Sequence, residues 1–91
     1  MADVVWRRSA IDDLNRIIAY IRKFDPAAAD DYRKRLTALG ESLSSFPHRG
    51  RATSGRRREM VTIAPYILGY RVTGHRVSIE SIRHSARQPL D

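Results

Sequence analysis

Cysteine is absent from this 91-residue chain, which excludes disulfides and thiolate metal sites. Lysine is almost absent too, since 15 of the 17 cations are arginine. Apolar runs are short: none approaches the roughly 18 residues that a membrane span requires. The opening segment from Met1 to Arg8 has an early charge and no apolar signal core. The expectation is therefore a cytoplasmic protein with no membrane partner. The length allows one domain, spanning 1–91, and the 42% hydrophobic content allows a modest core. Such a domain is marginally stable, on the order of 5 kcal/mol, so a partner can matter to its folding. Acids are scarce in one half only. Residues 1–46 carry eight cations and seven acids, whereas residues 47–91 carry nine cations, all arginine, and three acids. The first half reads as ordinary solvated helix faces. The second reads as a surface suited to planar, bidentate recognition of phosphates or carboxylates.

What is present has a clear periodic order. Val4-Val5-Trp6 is a short β-prone run. Ser9 then reads as a helix N-cap, with Asp12 and Asp13 placed in the first turn to favour the helix dipole. Ile11, Leu14, Ile17, Ile18 and Ile21 recur at helical spacing, and the helix should stop near Phe24, ahead of Asp25-Pro26. That dipeptide also reads as a new cap with proline at the first helical position. Tyr32, Leu36, Leu39, Leu43 and Phe46 step by 4, 3, 4 and 3 residues, which predicts a second helix with this stripe in the core. A two-residue connection predicts an antiparallel helical hairpin. Pro47 to Arg56 reads as a loop.

Three strands fit the remainder: Arg58 to Ile63, Tyr66 to Val72 and Arg76 to His84, the last two joined by a hairpin around Thr73-Gly74-His75. The expected order is β-α-α-β-β-β, an α+β fold with an antiparallel sheet packed on the two-helix hairpin and its first strand free to join an edge. The other sheet face stays open, and function should lie there. Alternation puts Ile67, Gly69 and Arg71 on one face, and Leu68, Tyr70 and Val72 on the other. In the last strand it aligns Val77 and Ile79 with Ser81 and Arg83, against Ser78, Glu80, Ile82 and His84. That pattern is not cleanly amphipathic near Ser81, as a bulge would make it. Arg71 lies between apolar residues, so it either pairs with Glu59 or Glu80 or points into the open face. Asp12 and Asp13 have no metal-ligand companions, and neither a metal nor a cofactor is expected.

The ordered set of residues resembles the RelE/ParE superfamily of type II toxins, also called plasmid stabilisation proteins. Trp6, Ala10, Asp13, Leu14, Ile17, Tyr20 and Ile21 match the family's opening strand and helix. Pro26-Ala27-Ala28 matches the start of its second helix, and Phe46-Pro47 with Gly50 and Arg51 the following loop. Arg58-Glu59, Pro65-Tyr66-Ile67, Tyr70-Arg71-Val72, Val77, Ile79, Ile82, His84, Ala86 and Arg87 match the strands and tail.

The resemblance implies a growth-arresting toxin held in a hetero-oligomer by a cognate antitoxin, whose acidic C-terminal segment wraps around it. It implies either of two targets, DNA gyrase for ParE-like members or ribosome-bound mRNA for RelE-like members. A third alternative is a non-toxic corepressor bound to its antitoxin. For a metal-independent ribonuclease the resemblance implies that Arg58, Arg71 and Arg83 hold phosphate and His84 acts as acid or base, the side-chain type that titrates near neutrality. The strand region has no lysine, and the chain ends Arg87-Gln88-Pro89-Leu90-Asp91 without the terminal tyrosine of some members, which favours the ParE-like reading. Arg56, Arg57, Arg58, Arg71, Arg83 and Arg87 are the residues expected to contact antitoxin or target.

Overall fold

The structure, a computed structural model, describes residues 1–86. Strand β1 (Asp3–Trp6) leads into helices α1 (Arg8–Arg22) and α2 (Pro26–Glu41), the latter prolonged by a 3₁₀ turn at Ser42–Ser44. Strands β2 (Arg51–Ala52), β3 (Arg57–Met60), β4 (Tyr66–Thr73) and β5 (Arg76–His84) follow. The α+β order stands, with one short strand added inside the expected loop. The sheet order is β1-β5-β4-β3-β2. It is mixed rather than antiparallel, because β1 runs parallel to β5 from Asp3↔Arg76 to Trp6↔Ile79. Parallel neighbours need a long crossover, and the helical hairpin that follows β1 begins one. The other pairings are antiparallel.

Helix α2 starts as its sequence dictates. Pro26 occupies the first turn and the Asp25 side chain accepts a hydrogen bond from the Ala28 N–H at 3.0 Å. Helix α1 does not start at Ser9. Arg7 is its N-cap, and no acid lies in its first turn. Ser9 Oγ instead donates to the Glu80 carbonyl at 2.7 Å, and Asp13 Oδ2 accepts from the Ile82 N–H at 3.1 Å. Two side chains expected to cap a helix therefore hold a strand.

Ala10, Leu14 and Ile18 from α1, Leu36 and Leu39 from α2, and Leu43 pack on Leu68, Tyr70, Val77, Ile79 and Ile82. The expected stripe of α2 enters this core from Leu36 to Leu43, with Tyr32 half-buried at its edge. Phe46 is the exception: it is 64% exposed, because the helical path ends before it. Gly40 has a packing reason to be glycine. A Cβ there would collide with the Trp6 ring and approach Ile79 Cδ1 to 2.8 Å. The ring is held by its Nε1–H, which donates to Glu41 Oε2 at 2.9 Å.

The β4–β5 register passes from Gly69↔Ser81 to Tyr70↔Ile79, so Glu80 is an extra residue in β5. This bulge resets the alternation beyond it. Ile82, paired with Leu68, joins Val77 and Ile79 in the core, whereas Ser81 and Arg83 turn to the open face beside Gly69 and Ile67. The simple alternation had these two sets reversed.

Candidate functional site

Strand parity collects the charge of the open face. Glu59 pairs with Gly69 and with Arg51, Arg57 pairs with Arg71, and Ser81 lies across from Gly69. Four arginines converge there on two glutamates. Glu59 is gripped firmly: its Oε1 accepts from Arg51 Nη2 at 3.2 Å and its Oε2 from Arg83 Nη1 at 3.0 Å. Glu80 is gripped loosely. Arg57 Nε lies 3.9 Å from its Oε1 and Arg71 Nε 3.5 Å from its Oε2. The Arg71 contact is an ion pair without hydrogen-bond geometry, and this buried Nε has no hydrogen-bond partner among the described residues.

Between the two groups the sheet is bare. A Cβ on Gly69 would lie 2.7 Å from Ser81 Oγ, so glycine makes room for that hydroxyl. Gly69 and Ser81, with Thr53, Ser54, Arg57, Glu59, Glu80 and Arg83, line a cleft of about 320 Å³, and Arg58 and Tyr70 complete its wall. The ion pairs are partly exposed, with the arginine side chains 30% to 69% accessible. Exposed pairs contribute about 0–1 kcal/mol each, so their main effect is to orient guanidinium groups over the cleft. Oriented guanidiniums bind carboxylate or phosphate in a bidentate way.

The other candidates are held differently. Arg58 pairs with Tyr70 and so belongs to the covered face. Its Nη1 donates to the Gly50 carbonyl at 2.6 Å and the His48 carbonyl at 3.2 Å, which ties the loop before β2 to the sheet. Tyr70 OH secures the same loop by accepting from the Gly50 N–H at 2.8 Å. Arg56 is exposed on the turn before β3, and its carbonyl accepts from the Val72 N–H at 3.1 Å. His84 lies across from Tyr66 on the covered face, its ring edge-on to that tyrosine at 5.6 Å, and its Nδ1 accepts from the Ala86 N–H at 3.0 Å. Arg87 lies outside the described residues. Of the expected contact residues, the fold brings Arg57, Arg58 and Arg83 to one cleft, joins Arg71 to Arg57 through Glu80, and leaves His84 apart.

Burial, then the neighbouring Tyr32 and Tyr20, raises the Tyr66 phenol above its ordinary value. Burial also raises that of Tyr70, against the opposing pull of the Gly50 hydrogen bond and of Arg58 and Arg49. Both phenols stay protonated near neutrality and offer no phenolate. Arg51 and Ser81 were not singled out as site features in the sequence, whereas the expected pairing of Arg71 with Glu59 or Glu80 is met by Glu80. The signal was available for part of this: Arg57 and Glu59 are two apart, hence on one side of a strand.

The fold is thus a two-helix hairpin on a mixed sheet, with arginines gathered on the sheet's open face. Residues 4–89 match the family described as the ParE toxin of the type II toxin–antitoxin system parDE. The chain is similar to Toxin RelE2 of Caulobacter vibrioides, 42% identical over 87 residues that cover 96% of this chain and 99% of the relative. It is similar also to Toxin RelE1 of the same organism, 33% identical over 79 residues, covering 84% and 85%. A solved structure of the chromosomal ParDE TA system from P. aeruginosa matches with a TM-score of 0.80 over 92% of this chain and 96% of that one. Its sequence identity is 20%, so it speaks for the fold alone. The chain belongs to the ParE toxin family of type II toxin–antitoxin systems.

Proposed function

We propose that this protein arrests bacterial growth by inhibiting DNA gyrase, engages that target through the arginine face, and is neutralised by a cognate antitoxin with an acidic C-terminal segment. One observation carries the choice of target. The clustered arginines share their face with glutamate, serine and threonine, while His84 packs against Tyr66 on the opposite side of the sheet. Metal-independent RNA cleavage requires a proton-transfer group within hydrogen-bond reach of the phosphate that the cations hold. The cleft's carboxylates, Glu59 and Glu80, are each paired with arginines, and an anion-binding surface without an imidazole beside it suits recognition better than cleavage. The acidic antitoxin segment fits the same surface by charge and would fold onto it as it binds.

A ribosome-dependent mRNA endonuclease is the second reading. It is favoured by the RelE names of the curated relatives and by a cleft able to seat a phosphate between arginines. Purified toxin assayed in parallel for gyrase supercoiling and for ribosome-dependent mRNA cleavage separates the two. Inhibited supercoiling with intact mRNA is expected. His84→Ala should leave that inhibition unchanged, whereas a nuclease that used His84 would lose about 100-fold or more in cleavage. Codon-phased cleavage abolished by His84→Ala, with normal gyrase activity, would overturn the proposal.

A further inference from the structure

A bulge leaves backbone groups without strand partners, and buried N–H and C=O groups need partners. In β5 the pairing with β1 ends at Trp6↔Ile79, and beyond it the carbonyl of the bulge residue Glu80 and the N–H of Ile82 are satisfied from α1. Ser9 Oγ donates to the Glu80 carbonyl at 2.7 Å, and Asp13 Oδ2 accepts from the Ile82 N–H at 3.1 Å. Residues 9 and 13 are four apart, one above the other on a single helix face. The second oxygen of Asp13 accepts from Arg16 Nη1 at 3.2 Å, which holds the carboxylate turned toward the strand.

The position of the extra residue decides which side chains reach the open face. With it at Glu80, Ser81 and Arg83 lie beside Gly69 and Ile67, and Ile82 and His84 face the helices. A one-residue slip of register would exchange the two sets. Arg83 would then lose Glu59, whose Oε2 is 3.0 Å from its Nη1, and His84 would move to the arginine side. Burial of Ile82, 3% exposed, opposes the slip without satisfying the bulge's polar groups.

We infer that Ser9 and Asp13 are positioning residues of the arginine face, acting through the β5 bulge to place Arg83 and Ser81 over the cleft and to keep His84 out of it. The consequence for the target rests on the reading of this face as the gyrase-binding surface. The placement itself does not.

The test compares Asp13→Ala with Asp13→Asn, whose amide oxygen still accepts, and Ser9→Ala with Ser9→Thr, which keeps the hydroxyl. Amide exchange at Ile82 and the guanidinium resonance of Arg83 are followed by NMR in the full chain, and supercoiling inhibition is measured on the same samples. Loss of the charged acceptor in Asp13→Ala should speed Ile82 exchange by about tenfold. The Arg83 resonance should shift or broaden, and inhibition should weaken by a similar factor. Asp13→Asn and Ser9→Thr should retain most of the native values. Faster Ile82 exchange with an unmoved Arg83 resonance would overturn the inference, as would an Asn variant no better than the Ala variant. Should Asp13→Ala not fold, Ser9→Ala carries the same readouts. A wild-type protein that leaves supercoiling untouched removes the gyrase reading alone, and the Arg83 resonance still decides the placement.

Discussion

On the covered face of the sheet Arg58 donates to two loop carbonyls, while on the open face Arg51, Arg57, Arg71 and Arg83 share two carboxylates. Arg57 and Arg58 are chain neighbours, and strand parity alone sends them to opposite sides. The acceptors differ in kind. Backbone carbonyls at His48 and Gly50 are fixed by the fold, so Arg58 acts as a structural tie. Glutamate side chains can change rotamer where backbone carbonyls cannot, so their partly exposed arginines remain available to a partner's anion. Availability is uneven even there. Glu59 is held by hydrogen bonds on both oxygens, whereas Glu80 is held by neither of its neighbours at hydrogen-bond geometry. The Arg57–Arg71 side of the cleft therefore has the larger unused donor capacity.

The sharpest way to break this comparison is to strip the open face. Replacing Arg57→Ala, Arg71→Ala and Arg83→Ala together should weaken supercoiling inhibition by about 100-fold, if each loses roughly 1 kcal/mol of interaction. Stability should fall little, because exposed ion pairs contribute about 0–1 kcal/mol apiece. Inhibition and circular-dichroism melting on one preparation check both halves. Full inhibition by the triple variant would remove the open face from the function.

The covered-face counterpart should behave in the opposite way. Arg58→Ala leaves the Gly50 and His48 carbonyls without their donor, a loss of about 2 kcal/mol. For a domain of this size that corresponds to a melting point lower by roughly 10 °C. Inhibition per folded molecule should be unchanged at a temperature where the variant is fully folded. A variant that melts normally but no longer inhibits would place Arg58 with the target-binding residues instead.

This division explains what could be read from the sequence. Local signals were legible. The Asp25-Pro26 cap, the Leu36–Leu43 part of the stripe and the break in alternation near Ser81 each depend on residues within a turn or two of one another. Long-range choices were not. Nothing in Val4-Val5-Trp6 says that its partner is β5 or that the pairing is parallel, since both follow from the path of the crossover. Ser9 and Asp13 carry the right chemistry for caps, and only the proximity of β5 redirects them to the bulge. The candidate site inherited the same error. A bulge displaced by one residue exchanges Arg83 with His84, and with them the chemistry that the open face can offer. Arg57 and Arg58, both expected to contact antitoxin or target, differ in strand parity, which the two-residue periodicity already contained.

The smallest effect separates the faces by pH. Tyr70 is 1% exposed on the covered face, and burial raises its phenol above the ordinary value. Tyr66 shifts the same way, also by burial first. A raised acid holds its proton more tightly in the folded protein than in the unfolded chain. Its contribution is therefore complete below the unfolded value of about 10 and is lost as pH rises through the raised folded value. The guanidiniums keep their charge across this window. Alkali should thus loosen the covered side first, through its phenols, with the arginine face still charged. Tyr70→Phe removes one of the two titrations and deprives the Gly50 N–H of its acceptor, at a cost of about 1 kcal/mol near neutral pH. Denaturant unfolding measured from pH 7 to about 11 should show the variant starting lower and declining less steeply above pH 10. Parallel curves for variant and wild type would mean that Tyr70 ionises without cost to the fold. The alkaline sensitivity would then belong to Tyr66, where β4 meets His84 and α2.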